Sequence, residues 1–433
     1  MGLLPRLQAR EREGRPVRVA VVGVGQMGAG VARQVAALAG MRLVALCDVR
    51  VERALGAAEA AGLRAAVAAD GAEAARLVRE GRVAVTARAE GVADLPVDVL
   101  VDATGEPEVG ARLGLCALRP GRALVSLNVE ADVTVGPLLG HLARRSGAVY
   151  TLAAGDEPAA LGELVDEARL MGLEVICAGK GKNNRLDRTA TPARLAGEAR
   201  TRGMSPRMLT AFVDGTKTMA ELAALANAAG LGIDRPGLHG PAADLADLLH
   251  TFVPEGDGGI LQRRGVVDYA VGDVAPGVFL VVTAPEALRG DLAYLRMGDG
   301  PYYLLHRPYH LASLEVPRSI ARAALDGEVT LAPAGPPRVE CVAVAKRDLR
   351  PEEVLDGIGG ETVYGLAEEA DRASAEGLLP VGLAQGARVL RPVAAGCPLR
   401  YADVVLDEGA VVVQARRLQD ALLRQGLLGG PGG

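Results

Sequence analysis

The sequence predicts an α/β protein in three parts: an N-terminal doubly wound parallel sheet, a central α+β domain and a small β-rich C-terminal module. Three observations predict it. Continuous β-branched runs alternate with helical stretches from Val17 to about Ala154, as expected of strands buried on both faces of a parallel sheet. A glycine-rich turn joins the first of these runs to a helix. Beyond the Pro- and Gly-rich stretch 331–338, short apolar runs alternate with turn residues.

Taken in order, residues 1–15 read as a short amphipathic helix or arm, with Leu3, Leu4 and Leu7 on one side. VRVAVV (17–22) is the first strand, VARQVAALAG (31–40) lies in a helix, and RLVALCD (42–48) is the second strand. Further strands are expected at 83–87, 97–103 and 123–127, and at VYTLAA (149–154). The first domain is therefore drawn at 16–155. A second, 156–330, mixes helices with strands such as GLEVICAG (172–179) and PYYLLH (301–306). It contains a Gly/Asn-rich loop, GKGKNN (179–184), and a helix beginning near Thr218. The segment 339–425 reads as the β-rich module, and 426–433 as a flexible tail.

Composition excludes several classes. A net charge of −5 excludes a globally basic nucleic-acid binder. No apolar run approaches the roughly 18–20 residues of a membrane span, and residues 1–16 lack the apolar core of a secretion signal. A cytoplasmic protein with no membrane partner is expected. The five cysteines are odd in number and far apart, so neither a disulfide framework nor a structural zinc site is indicated. Among the 48 basic residues, only Lys180, Lys182, Lys217 and Lys346 are lysines. A compact ammonium shifts its proton affinity readily on burial, as a guanidinium does not, which makes these four candidate site residues.

Gly23-Val24-Gly25-Gln26-Met27-Gly28 follows a strand and opens a helix, with Asp48 twenty residues past Gly28 at the end of the next strand. This is the context a Rossmann dinucleotide fingerprint requires. Gly23 permits the tight turn, Gly25 lets backbone approach a pyrophosphate, and Gly28 lets helix and strand pack closely. The phosphates would rest on the helix N-terminus. Asp48 would bond a ribose 2′-hydroxyl and favour NAD, whereas Arg50 would bind a 2′-phosphate, so NAD(H) and NADP(H) both stay open. Thr104, Gly105 and Asn128 follow strands at the sheet edge where such ligands bind, although ordinary turn chemistry would equally place them there.

In GKGKNN, glycines free the backbone while Lys180, Lys182, Asn183 and Asn184 supply donors for an oxyanion or phosphate. An exposed polar turn is the plainer reading. Lys217 enters a helix at its N-terminus, where the macrodipole opposes a cation and favours proton release. Thr218 and Glu221 fit a capping box, which accounts for Glu221 structurally. Asp156 and Glu157, between a strand and a helix, are either helix N-terminal acids or a substrate-hydroxyl or divalent-metal site. His306 and His310 flank Pro308, which argues against a helical ligand pair, and no metal ligand is assigned.

With these residues in view, the chain resembles homoserine-dehydrogenase-like oxidoreductases that carry a C-terminal SAF domain. Within that group it is similar to 1-deoxy-D-xylulose 5-phosphate reductoisomerase-like enzymes of isoprenoid biosynthesis. The resemblance runs from GRPVRVAVVGVGQMG through NVEADVTVGPLL, GDEPAA, GKGKNN and FVDGTKTMAE to the SAF-like KRDLRPEEVLDGIGG. It implies a homodimer or homotetramer built through the central domain, and an acid and a lysine handling the substrate hydroxyl, nearest here to Asp214 and Lys217. The lysine of the homoserine-dehydrogenase Asn-Lys motif is replaced, since the chain reads Asn128-Val129-Glu130.

Three functions are therefore weighed. One is a reductoisomerase acting on a phosphorylated, sugar-like ketone with NAD(P)H and Mg²⁺ or Mn²⁺, with Lys182 or Lys217 and Asp214 or Glu157 moving protons. The second is a plain dehydrogenase of a hydroxy acid or polyol. The third is a non-catalytic dinucleotide sensor.

Overall fold

β1 (Val17–Val22) has the β-branched composition of a central strand and takes that place in the computed structural model, which describes residues 2–428. The tail expected from 426 therefore lies, from residue 429 onward, outside the described residues. β1 is joined by β2 (Met41–Cys47), β3 (Ala65–Val67), β4 (Val83–Thr86), β5 (Val99–Asp102), β6 (Ala123–Ser126) and β7 (Val149–Leu152). The order is β3-β4-β2-β1-β5-β6-β7, and every pair is parallel. Strand order reverses at β1, so the turns after β1 and β5 flank the switch point where ligands of such sheets bind.

This sheet is the centre of a unit comprising residues 2–156, 311–332 and 410–428. The helix Gln26–Ala37 packs against the helix Ala312–Asp326, and Gly30 permits the approach, since a Cβ there would lie 2.5 Å from Ser313 Oγ. The β-rich reading of 339–425 needs one correction. Its last part is a helix, Val411–Arg424, and not a strand. The Val411–Val413 run suggests β structure locally, but Val412, Val413, Ala415, Arg416 and Gln419 are buried at helical spacing. Tertiary packing overrides propensity there. Gln419 accepts from the Leu138 N–H and donates to Thr134 O, beside Pro137 in the helix Val129–Ser146.

The second unit comprises residues 157–310 and 333–409. Its four-stranded sheet has the order β11-β10-β8-β9, built from β8 (Glu174–Lys182), β9 (Val266–Val271), β10 (Val278–Thr283) and β11 (Tyr302–Arg307). β9 runs parallel to β8; β10 and β11 are antiparallel to their neighbours. Its core holds Ile176, Leu248, Phe252, Phe279 and Val281, with the Phe252 and Phe279 rings 5.2 Å apart. β12 (Val339–Ala345) and β13 (Val363–Glu369) form an antiparallel pair in the same unit.

The loop expected at 179–184 is strand as far as Lys182. The glycines do not loosen it. They make room on one face: a Cβ on Gly179 would come within 2.3 Å of the Phe279 ring, and one on Gly181 within 2.1 Å of the Ala275 backbone nitrogen. Side chains alternate along a strand, so Lys180 and Lys182 share the opposite face.

Gly181→Ala forces a methyl group against fixed backbone, and overpacking of this kind costs about 1–3 kcal/mol. Chemical denaturation of the variant is expected to show that loss. A midpoint equal to the parent's would show that the glycine is dispensable.

Candidate active site

In the first unit the three fingerprint glycines divide the work as their positions predict. Gly23 has φ +85°, and a Cβ there would be 2.7 Å from the Ala103 carbonyl; one on Gly28 would be 1.8 Å from Gly23 O. Both are places where backbone meets backbone. Around Gly25 nothing lies within 4 Å of a would-be Cβ, which leaves a cradle at the N-terminus of the helix Gln26–Ala37. Gln26, Met27 and Arg50 are exposed at this edge. The Asp48 carboxylate accepts from Val24 N–H at 2.8 Å and from Arg50 N–H at 2.9 Å, bracing the turn.

Beside it, Asn128 is fully buried. Its amide nitrogen donates to Asp102 Oδ2 (2.9 Å), Thr104 Oγ1 (3.1 Å) and Glu106 O (2.9 Å), while its oxygen caps the helix Val129–Ser146 through Ala131 N–H. Thr104 in turn donates to Asp102 Oδ1 at 2.6 Å. Burial pushes the Asp102 carboxyl up, against these hydrogen bonds. The side chains of Thr104 and Asn128 thus bind the ends of β5 and β6 together, next to Gly105 with its φ of +68°.

The second unit gathers the lysines. All four are buried, between 5 and 9 % exposed. Lys180 Nζ donates to Glu157 Oε1 at 2.6 Å and to Glu221 Oε2. Glu157 opens the helix Glu157–Leu170, and Glu221 lies in the second turn of the helix Thr216–Ala229. Burial opposes the Lys180 charge, but the two carboxylates more than offset it and hold the ammonium above its ordinary range. Glu221 is itself pushed up by burial and by Glu157, against the attraction of Lys180 and Lys217. His310 Nε2 approaches Glu157 Oε1 to 3.4 Å.

Lys182 has the opposite setting. It donates to Phe212 O at 2.6 Å and to Asn184 Oδ1. Burial, then the neighbouring Lys180 charge, bring it down to about 8. Asn183 is exposed at the end of β8. Lys217 stands four residues before Glu221 on the same helix, so the two share a face.

Two expectations about this helix are corrected. It begins at Thr216 with Gly215 as N-cap, so Thr218 is inside it and no capping box forms. Glu221 is 1 % exposed and paired to a strand lysine, a role the capping pattern concealed. Asp214 does not join the Lys180 cluster directly. Its Oδ1 accepts from Thr216 N–H and its Oδ2 pairs with Lys346 Nζ, each at 2.8 Å. Asp156 is buried at the end of the first unit's opening segment.

Residues 155–316 match the family model described as the catalytic domain of oxidoreductase DRL, and residues 341–405 match the SAF domain. The first match is to an oxidoreductase catalytic domain. No curated protein matches the chain. Among solved structures this chain is similar to 1-deoxy-D-xylulose 5-phosphate reductoisomerase from Zymomonas mobilis, solved with NADPH, at 20 % identity and a TM-score of 0.34; 48 % of this chain and 56 % of that one are covered. The chain thus spans little more than half of that enzyme's length. A myo-inositol dehydrogenase from Corynebacterium glutamicum aligns at 13 % identity and a TM-score of 0.41, over 72 % of this chain and 89 % of that one. The scyllo-inositol dehydrogenase from Lactobacillus casei aligns at 13 % and 0.37, over 67 % and 76 %. Among the described residues, no helix is long and apolar enough to cross a membrane.

The residues that sequence reasoning missed are Glu221, His310 and the fixing role of Lys346. The i, i+4 spacing of Lys217 and Glu221 was the available signal for the first; nothing local marks the other two.

Because the chain has four lysines, competitive acetylation read by peptide mass spectrometry can titrate each one. Lys182 should become reactive with a midpoint near 8, while Lys180 should stay unreactive to well above the ordinary lysine range. Equal midpoints for the two would refute the charge arrangement described.

Proposed function

We propose that this chain is an oxidoreductase that uses NAD(P)H to reduce a small phosphorylated, sugar-like carbonyl compound, in a reductoisomerase-like reaction of the kind the resemblance implies. The observation that carries the reading is the pairing, on one face of β8, of a fixed ammonium (Lys180) with a titratable one (Lys182). The open cradle at Gly25, bounded by backbone at Gly23 and Gly28, suits a pyrophosphate, and Asp48 and Arg50 are the side chains that would meet the ribose. A nicotinamide, when bound, supplies a hydride. The protein's part is to manage charge and protons.

Lys182 would hold the carbonyl oxygen and give it a proton as negative charge develops there. An ammonium near 8 is charged at neutral pH and yet releases its proton readily, which is the balance general acid catalysis needs. Lys180, clamped by Glu157 and Glu221, would keep a constant positive field beside it. Lys217 acts on Glu221 from the same helix. Asn183 and Asn184 would supply amide donors to the substrate's phosphate or hydroxyl groups.

One carboxylate oxygen of Glu157 lies within 4.8 Å of one of Glu221. Two hard oxygen donors suit Mg²⁺ or Mn²⁺, and both also hold the Lys180 ammonium. These two residues would hold such an ion, whose chemistry would be to polarise a substrate oxygen. The plain polyol dehydrogenase needs no metal, so insensitivity to EDTA would favour it.

Turnover should be sought with 1-deoxy-D-xylulose 5-phosphate and, separately, inositols, each with NADH and NADPH and with Mg²⁺, Mn²⁺ or EDTA. For reduction, Lys182 acts as an acid, so kcat/KM should fall as pH rises through about 8. Lys182→Met should lower kcat by roughly 10²–10⁴-fold and abolish that limb. No nicotinamide oxidation under any of these conditions would refute the substrate class.

In the cofactor cradle, Gly25→Val places a side chain where no neighbour lies within 4 Å. Nicotinamide dinucleotide affinity is expected to drop at least about tenfold, roughly 1.4 kcal/mol, with unaltered circular dichroism. Unchanged affinity would remove Gly25 from the cofactor site.

A further inference from the structure

The second unit contains a grip that the proposed chemistry does not explain. The SAF-matching segment and residues 338–339 just before it hold the helix Thr216–Ala229 at both ends. At the N-terminal end, Lys346, on the residue after β12, sends its ammonium into the 157–310 part of the unit. There it pairs with Asp214 Oδ2 at 2.8 Å and donates to Ala190 O at 2.8 Å, while a third bond, to Gly360 O at 2.7 Å, ties it to its own segment. Asp214 Oδ1 meanwhile accepts from Thr216 N–H, the first amide of the helix.

A second bond runs alongside. Gly365 N–H, on β13, donates to Thr216 Oγ1 at 2.8 Å, and Gly365 lies so close that a Cβ would be 2.8 Å from Thr216 Cγ2. At the other end, Asn227 Nδ2 donates to Val339 O at 2.9 Å, and its Oδ1 accepts from the Arg338 and Val339 N–H groups at 2.8 and 3.0 Å. Asp214, Thr216, Asn227, Val339 and Lys346 are all less than one-tenth exposed.

We infer that the SAF-like segment is the positioning clamp of the active-site helix, with Lys346 as its principal positioning residue acting through Asp214 on Lys217 and Glu221. A lone ammonium or carboxylate in this interior would carry a heavy desolvation cost; paired, each fixes the other. The bonds to Thr216 and Asn227 are about 11 residues apart along one helix, so they set both its axial position and its rotation. That rotation decides where Lys217 and Glu221 point. The inference rests on the reading of those two residues as site residues.

The test uses the full chain and no substrate, so a failure to find turnover would count against the proposed reaction alone. In Lys346→Met, amide hydrogen exchange across residues 214–222 should quicken at least about tenfold. Acetylation of Lys217 should quicken about threefold or more, with exchange at 17–28 unchanged. The charge-neutral double variant Lys346→Met/Asp214→Asn should recover much of the lost thermal stability, because no buried charge is left alone. Its exchange and Lys217 labelling should nevertheless remain fast. A pair that served stability only would bring both back with the melting temperature, and that result would overturn the inference. So would exchange and labelling within about twofold of the parent in folded Lys346→Met. Should that variant not fold, Thr216→Val, which removes one hydroxyl and no charge, decides: quickened exchange at 214–222 supports the clamp, and parental exchange refutes it.

Discussion

The ammonium of Lys180, bonded at once to Glu157 and Glu221, is the constraint around which the second unit is arranged. Three charges out of water would each cost several kcal/mol unpaired, so strand and helices are held in the one relation that pairs them. Glu157 brings in the first turn of one helix, Glu221 the second turn of another, and Lys180 the end of β8. Removing Lys180 leaves two carboxylates repelling one another. The cost of burial is repaid in definition: the strand's end, normally free to fray, is fixed where the chemistry is proposed to occur.

The same clasp explains why Lys182 can differ so much from a lysine two residues away. Both are buried on one face of β8, and both lose hydration. Lys180 recovers that loss from two carboxylates and keeps its proton. Lys182 faces a backbone carbonyl and an amide, which supply hydrogen bonds without a full charge, and it feels the Lys180 ammonium as a repelling neighbour. Divergent proton affinities in adjacent groups of one type are the usual way in which a site separates a fixed electrostatic role from a proton-transfer role.

The parallel sheet and its glycine fingerprint were legible in the sequence because their signals are local: β-branched runs, a turn that needs glycine, an acid at a set distance. Gly23, Gly25 and Gly28 take up the distinct positions that their spacing implies. The second unit was less legible because its logic is tertiary. Gly179 and Gly181 read as loop residues, yet they are glycine because Phe279 and the backbone at 274–275 press on that face of the strand. Thr218 and Glu221 match a capping box, but Gly215 and Asp214 take over the start of the helix, which frees Glu221 to pair across to β8. Val411–Val413 reads as strand and is helix because its partners are other helices. In each case a contact distant in the chain outweighed a local preference that was itself correctly read.

What the sequence did signal about the second unit was chemical in kind. With arginine used almost everywhere a positive charge is wanted, the four lysines mark places where a guanidinium would not serve. Each is buried, and Lys180, Lys182 and Lys346 have small, close acceptors. A planar guanidinium spreads its charge over a fork and does not give up its proton, so it could neither fit between two converging carboxylates as one point charge nor titrate near neutrality. Lys180 uses the first property, Lys182 the second. Lys346 uses the first again, reaching on a slender stem through the interior to Asp214 and two carbonyls. The choice of lysine over arginine therefore marks where a compact charge is wanted in the interior, even though Arg416 is buried as well.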